Sequence, residues 1–496
     1  IPLFTTRPDS RDLWTSRGER IEGFFDQSGL AAVKQRLSRL SEESLSRQLW
    51  FIDASLATLG HDQGETSITA RPRLEPSAPA TSAQLIGTAK KVANRLAQLA
   101  VRDGDLAIWF GSRYKHDRWA VELVGLDLYD GLAGIALFLA HLDAVSGEHR
   151  YTTLAKCAFA TVETYLRDDD YQPPGIGGFT GWGSLLYTLS QLAFLWRRPD
   201  LIDLGESIVA RLAEPIRADD QHDIIAGAAG CIASLLSLYA VRRSEATLIA
   251  ARCCGDHLLD AAHQVGSTAS WTAKNVAELP VAGFSHGAAG IAHALLALFR
   301  ASGDRRYRAT AQAAIEFERT LYSPTDKNWL DRRDGHGHRQ TDAGSCMTAW
   351  CHGAPGIGLA RLRALGYGDD RAVRGEIAAA LASTLNHGFG HNHSLCHGDL
   401  GNLEFLFEAS RVLQDPALKF QVGQIAASVL DSIRRDGYLC GIPSRQETPG
   451  LMNGLAGIGY GLLRLAVPDR VPSVLTLDPP LAMAARVARE SDRHAA

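Results

Sequence analysis

No apolar run in this 496-residue chain approaches the roughly 20 residues a membrane span needs. Its opening, Ile1-Pro2-Leu3-Phe4, reads as the interior of a longer protein rather than as a signal peptide. Charge of one sign is also missing. Lysine plus arginine total 51 and aspartate plus glutamate 55, so the formal charge is −4 and no basic field draws the chain onto nucleic acid or an anionic surface. A phosphate-binding Gly-x-x-x-x-Gly-Lys-Ser/Thr loop, a dinucleotide fingerprint and a kinase signature are all absent, which removes nucleotide chemistry. Eight cysteines spread over so long a chain make no disulfide framework. A reducing cytoplasm, with thiols free for metal, is the expectation. Period-two alternation bounded by tight turns is weak, so strands are not expected to dominate. What remains is ordinary globular composition, 46% hydrophobic and 21% charged.

Glycine is where the pattern lies. Seven segments resemble one another: Tyr129–Ile135, Phe179–Ser184, Ile225–Gly230, Ser285–Ile291, Cys351–Ile357, Cys396–Gly401 and Met452–Ile458. All but the second contain Gly-x-x-Gly, and each leads into an apolar helical run such as Ile135-Ala136-Leu137-Phe138-Leu139-Ala140. The spacing leaves room for two helices per repeat. More polar, amphipathic stretches lie between, for example 204–212 and 372–385. The expected fold is all-α: an α/α toroid of about seven helical hairpins, with inner and outer helix rings. Closure of the ring would hide the ends that an open solenoid must cap. Glycines at the inner N-termini would let backbones approach closely, with free N–H groups and the positive dipole ends turned to a central cavity. Asp130, Thr180, Ala226, His286, His352, His397 and Asn453 would ring that cavity.

The domain reading follows. Residues 1–84 form a linker and leading helical segment; the first ~110 residues, which lack the glycine-headed pattern, are expected to hold helices near 30–59 and 83–102 joined by a Ser/Thr/Ala/Pro-rich stretch at 66–82. Residues 85–466 form the toroid. The tail, 467–496, is expected to pack outside or fray.

Cys351-His352-Gly353 and Cys396-His397-Gly398 carry the chemistry. Thiolate and imidazole are the donors a borderline-soft ion such as zinc prefers. A catalytic zinc keeps three protein ligands and one open position. Cys351, Cys396 and one neighbouring histidine would supply three, with His397 the better third. If His352 also bound, the site would be a closed structural centre. Two thiolates reduce the ion's Lewis acidity and suit it to another soft ligand. A substrate thiol, with a free pKa of about 8.5, would lose its proton there. His286, at the mouth of the preceding repeat, is placed to move a proton near neutral pH. Asp223, about one helical turn ahead of Gly227, would orient an imidazole, serve as an acid/base partner or cap its helix. Asp130 is a further mouth acid, more distant in repeat order. Weaker signals are a polar loop at 334–338, a loop of His387, His391 and His393 expected near the site, and an exposed His222. Cys253-Cys254 reads as core.

His286-Gly-Ala-Ala-Gly290, Trp350-Cys-His-Gly-Ala-Pro-Gly-Ile357 and Cys396-His397-Gly398 together resemble the lanthionine synthetase C-like family. The likeness is best to the C-terminal cyclase domain of class II, bifunctional lanthipeptide synthetases, and covers roughly 85–465. Arg47-Gln48-Leu49-Trp50 and the opening residues look like the junction after their dehydratase domain. The resemblance implies one catalytic zinc on Cys351, Cys396 and His397, with His286 and Asp223 in catalysis. The implied reaction adds a peptide cysteine thiolate to dehydroalanine or dehydrobutyrine, closing a thioether ring. The partners implied are a dehydrated precursor peptide and the dehydratase domain of the same synthetase. Met347 departs from the pattern: some stand-alone cyclases carry arginine there, so the group that stabilises the acceptor carbonyl is not legible.

Two other readings compete. An α/α-toroid glycoside hydrolase would need two opposed carboxylates, for which Asp130 and Asp223 would be cast. A non-catalytic peptide- or thiol-binding toroid would use its zinc structurally.

Overall fold

Each glycine-headed apolar run forms a helix buried around most of its circumference. The computed structural model describes residues 3–38, 40–59, 78–115, 118–168, 170–274, 276–333, 346–368 and 370–480. The chain divides into two units, Ile1–Ser55 and Leu56–Ala496. In the first, β1 (Phe4–Thr5), β2 (Leu13–Thr15) and β3 (Arg20–Ile21) form an antiparallel meander ahead of α1 (Gly29–Ser38) and most of α2 (Glu42–Leu59). Asp12 ties the meander together, accepting from Gly23 N at 2.8 Å and Arg20 Nε at 2.8 Å. This small sheet was not expected from the sequence; its strands are too short to show alternation.

The second unit opens with α3 (Ser82–Leu99). Its first hairpin, β4 (Val101–Asp103) and β5 (Leu106–Ile108), precedes β6 (Phe110–Lys115) and β7 (Arg118–Leu123). Helices then alternate. The inner ones are α4 (Leu132–Ser146), α6 (Trp182–Trp196), α9 (Ala228–Val241), α11 (Ala288–Ser302), α13 (Ala354–Ala364), α15 (Asp399–Val412) and α17 (Leu455–Ala466). The outer ones are α5 (His149–Leu166), α7 (Asp200–Val209), α10 (Glu245–Asp260), α12 (Arg305–Arg319), α14 (Arg371–His387) and α16 (Pro416–Asp436), with a short α8 (Ala213–Arg217). Two further hairpins, β8 (His263–Val265) with β9 (Thr268–Ser270) and β10 (Tyr322–Ser323) with β11 (Asn328–Trp329), link repeats. Each inner helix packs on the next, and α17 packs back on α4, so the ring closes. The architecture is the α/α toroid expected. The outer partner of α17 is α3, so the helix expected at 83–102 completes the seventh hairpin.

Sequence pattern explains which ring a helix joins. In α4 every residue from Leu132 to Leu142 is buried, the mark of a helix surrounded on all sides. In α12 the buried residues are Tyr307, Thr310, Ala311, Ala314, Ile315 and Glu318, one stripe at helical spacing. Outer helices α12, α14 and α16 start on aspartates (Asp304, Asp370, Asp415) whose side chains cap first-turn amides. Inner helices have glycine at that place and no side-chain cap.

Their first-turn amides are not free, contrary to expectation. They are taken by carbonyls seven residues back in the preceding loop: Leu132 by Gly125, Gly230 by Asp223, Gly401 by Ser394, Gly457 by Gly450. Buried amides must be paired, and the loop folded over the helix start does it. That fold needs glycine. A Cβ on Gly401 would lie 1.9 Å from the Leu395 carbonyl oxygen, and one on Gly457 1.7 Å from that of Leu451.

The tail also departs from expectation. Val471, Ser473, Val474 and Leu475 are fully buried. Asp478 receives Tyr187 Oη and Gln191 Nε2 on its carbonyl, at 3.1 and 2.9 Å, and Arg363 Nη2 on its carboxylate at 2.7 Å. Tyr460 Oη donates to Pro472 O at 2.9 Å. Residues 472–478 therefore fill the ring from within, bonded to α6, α13 and α17. Residues 481–496 lie outside the described residues.

Candidate metal centre

The seven loops ahead of the inner helices are joined by backbone hydrogen bonds into a circle. Tyr129 N donates to Phe179 O, Phe179 N to Ile225 O, Ile224 N to Ser285 O and Ser285 N to Cys351 O. Cys351 N then donates to Cys396 O (3.2 Å), Cys396 N to Met452 O, and Met452 N to Tyr129 O. This circle makes neighbours of residues 45 or more positions apart in sequence. It sets side by side the residues that follow in each loop: Asp130, Thr180, Ala226, His286, His352, His397 and Asn453.

Two adjacent steps of the circle bring the soft donors together. The ligating atoms of Cys351, Cys396 and His397 all lie within 4.8 Å of one another, and no other trio of such residues converges so closely among the described residues. Both cysteines are buried. The two thiols share a hydrogen bond that holds Cys351 below the usual thiol range and pushes Cys396 well above it. Burial lowers the His397 imidazole, which favours its neutral, ligating form. The backbone of Gly441 accepts a hydrogen bond from that ring. A Cβ on Gly441 would come within 3.0 Å of His397 Nε2 and 2.6 Å of Ser394 Oγ, so a bare backbone is needed to cradle the ring. Two adjacent buried sulfurs beside a neutral imidazole fit a soft cation.

His352 turns elsewhere. Its Nδ1 lies 3.4 Å from Ala282 O and its Nε2 3.4 Å from Ser285 Oγ, and its ring stacks on His286 at 5.8 Å. Of the two histidines, His397 is therefore the one that joins the cysteines. His286 Nδ1 is 2.6 Å from Asp223 Oδ2, and the imidazole's charge acts on Cys351. Asp223 is fully buried, and its Oδ1 accepts from Ala226 N at 2.7 Å. The aspartate both caps its loop and holds the histidine. Glu318 on α12 fixes the loop carrying His286, accepting from Gly283 N (2.9 Å) and Ala289 N (3.0 Å). Asn328 does the same for the Cys351 loop, accepting from Ala354 N at 2.9 Å and donating to Met347 O at 3.0 Å.

Two groups at the site, Tyr129 and Arg333, escaped the sequence reading, and a third, Asp130, was misplaced by it. Tyr129 Oη donates to Cys396 Sγ at 3.0 Å. Arg333 presents a guanidinium whose charge acts on both cysteines. Asp130 was placed far from the metal by repeat order, yet its charge acts on Cys396, because closure sets the first repeat beside the last. Burial pushes the Asp130 carboxyl up to about 7. The remaining histidines play other parts. His393 is buried between Ser432 Oγ (2.9 Å) and Leu439 N (3.1 Å), and neither His387 nor His391 joins the trio. His222 is half-buried rather than exposed, stacked on His257 at 5.5 Å. Cys254 is core as expected, but Cys253 is exposed, because α10 is an outer helix. The loop at 334–338 lies outside the described residues.

A family model for lanthionine synthetase C-like proteins matches residues 122–476. The chain is 23% identical over 367 residues to the lacticin 481/lactococcin biosynthesis protein LcnDR2 of Lactococcus lactis subsp. lactis. That alignment covers 70% of this chain and 37% of the relative, so the chain spans little more than a third of that protein's length. Among solved structures, nisin cyclase superposes with a TM-score of 0.59 at 15% identity, over 79% of this chain and 97% of its own. That likeness shows the shared toroid. No helix among the described residues is long and apolar enough to cross a membrane.

Proposed function

The chain belongs to the lanthionine synthetase C-like family, and from that premise we propose that it is a zinc-dependent lanthionine and methyllanthionine cyclase acting on a dehydrated precursor peptide. Cys351, Cys396 and His397 hold one zinc ion; His286, oriented by Asp223, moves the proton. The observation that carries this reading is the buried Cys351–Cys396–His397 trio one loop away from a 2.6 Å imidazole–carboxylate pair. If the chain is a fragment of a larger synthetase, a dehydratase domain of that synthetase would supply the peptide; the reaction takes place in the cytoplasm.

Zinc on the trio would supply the positive charge that favours loss of the proton from an incoming cysteine thiol. The protein's own residues do the rest. Asp223 accepts from His286 Nδ1, which leaves Nε2 as the base for the thiol proton. The sulfur adds to the β-carbon of the dehydroamino acid, and the π electrons move onto the acceptor carbonyl. His286 returns the proton to the α-carbon. One S–H bond and one C=C π bond are exchanged for a C–S and a C–H bond, so mass is unchanged. The glycosidase alternative finds no support in the site, because Asp223 is buried and committed to His286 and Ala226.

The test is a dehydrated, cysteine-bearing peptide incubated with the zinc-loaded chain. The expected result is constant mass with loss of alkylatable thiol, abolished by a chelator and by Cys396→Ala, which loses zinc as well. Cobalt substitution separates a catalytic from a structural site: an open site changes its thiolate charge-transfer band when a small thiol is added. An unchanged band with no ring formed would refute the reading in favour of a scaffold.

A further inference from the structure

Addition of a thiolate to a dehydroamino acid moves negative charge onto the acceptor's amide oxygen while the C–S bond forms. A low-dielectric site must meet that charge with a donor already in place. The trio and the His286–Asp223 pair offer none, since the imidazole is committed to the proton. We propose that Arg333, from the segment after β11, is the catalytic group that hydrogen-bonds the acceptor carbonyl and stabilises the enolate; this rests on the cyclase reading above.

Position comes first. Arg333 is on the rim of the metal centre: its Nη2 lies 3.4 Å from the sulfur of Met347, four residues ahead of Cys351. Its charge acts on Cys351, Cys396, His352 and His397. The Met347 contact sets this cation beside the loop that carries Cys351, with its charge reaching both cysteines and both neighbouring histidines.

The guanidinium is also held. Asp331, with a side chain only 6% exposed, receives Nε at 3.0 Å and Nη2 at 2.7 Å. This two-point grip fixes the plane of the fork. Nη1 has no partner among the described residues and is not sealed off, as the arginine side chain keeps 28% of its surface. The free edge of a clamped guanidinium is thus the donor available to a substrate oxygen. Asp331 is a positioning residue: it touches the arginine and not the substrate.

A purely structural ion pair predicts something different, so the experiment separates the two. Arg333→Met, Arg333→Gln and Arg333→Lys are made in the full chain, loaded with zinc for turnover and with cobalt for spectra. Dehydrated cysteine peptide is the substrate. The neutral variants should lose about 10²–10³-fold in kcat with KM little changed, the loss typical of a deleted oxyanion donor. Lysine, keeping charge without the fork, should regain part of it. All three should bind one cobalt, and an added small thiol should shift the charge-transfer band as in the parent, because thiol binding does not use Arg333. A neutral variant that binds cobalt and closes rings near the parent rate would overturn the assignment. So would a lysine variant with an intact cobalt spectrum and no activity above the neutral pair. A parent protein that binds cobalt and closes no ring overturns the cyclase reading itself, and this assignment with it.

Discussion

Asp223→Asn is the sharpest probe of how the acid/base pair works. The aspartate makes two contacts from one fully buried carboxylate: Oδ1 accepts from Ala226 N at 2.7 Å, and Oδ2 faces His286 Nδ1 at 2.6 Å. Asparagine has one oxygen and one NH2. The oxygen must stay on the Ala226 amide, since a buried N–H left unpaired costs about 1–3 kcal/mol. The NH2 then faces His286 and can only donate, so Nδ1 must become an acceptor and the ring proton moves to Nε2. The nitrogen that should receive the thiol proton is then already protonated. The charge-assisted bond is lost too, at about 1.5–3 kcal/mol, alongside a wrong tautomer of the kind that costs ~10⁴-fold in serine proteases. The expected loss in single-turnover cyclisation is ~10²–10⁴-fold, with zinc content close to the parent's and a lowered melting temperature. The assay follows disappearance of alkylatable thiol in a pre-dehydrated peptide by mass spectrometry. A variant that keeps its zinc and cyclises near the parent rate would show that His286 does not depend on Asp223 for its tautomer.

Two further outcomes follow from particular contacts. Tyr129→Phe removes the 3.0 Å hydrogen bond to Cys396 Sγ; zinc affinity should fall about tenfold and the cobalt–thiolate band move to lower energy, as for other outer partners of metal ligands, whereas an unchanged spectrum would mean the hydroxyl does not bond the metallated sulfur. His141, buried in α4 edge-on to Tyr460 and with neither ring nitrogen partnered among the described residues, is pushed down to about 3 from 6.5 by burial. The folded state therefore resists its protonation, so its contribution is intact above pH 6.5 and lost as pH falls toward 3. At pH 5 the loss is about 2 kcal/mol. His141→Phe should lose less stability between pH 7.5 and 5 than the parent in parallel denaturant titrations, and equal losses would disprove the assignment.

The repeat, the ring of mouth residues and the soft donors were legible because each depends on short-range pattern. A glycine seven residues after a loop carbonyl, an apolar run, and a Cys-His-Gly triplet recur locally, so one chain displays them seven times or twice. The β6–β7 hairpin was missed although Arg118-Trp-Ala-Val-Glu-Leu123 alternates, because one such segment is weak beside seven helical ones. The meander of the first unit was missed because two or three residues per strand carry no period.

Arg333, Tyr129 and Glu318 had no comparable signal. Nothing in Asp331-Arg332-Arg333 distinguishes a clamped guanidinium from a solvated charge, and Tyr129 lies 267 residues from the sulfur it bonds. The tail was misjudged for the same reason. Its prolines and alanines look like a loose end, and only polar groups on three inner helices, aimed inward, show that residues 472–478 fill the hole.

By itself, then, the sequence determined the helical ring and the chemical type of the ligands, since periodicity and donor softness are properties of the residues. Which histidine lies with the two cysteines and which acid pairs with His286 are visible only in the folded chain. Backbone hydrogen bonds between consecutive loops lock all seven mouths into one circle, and that circle sets the last repeat against the first, a neighbourhood no linear spacing encodes.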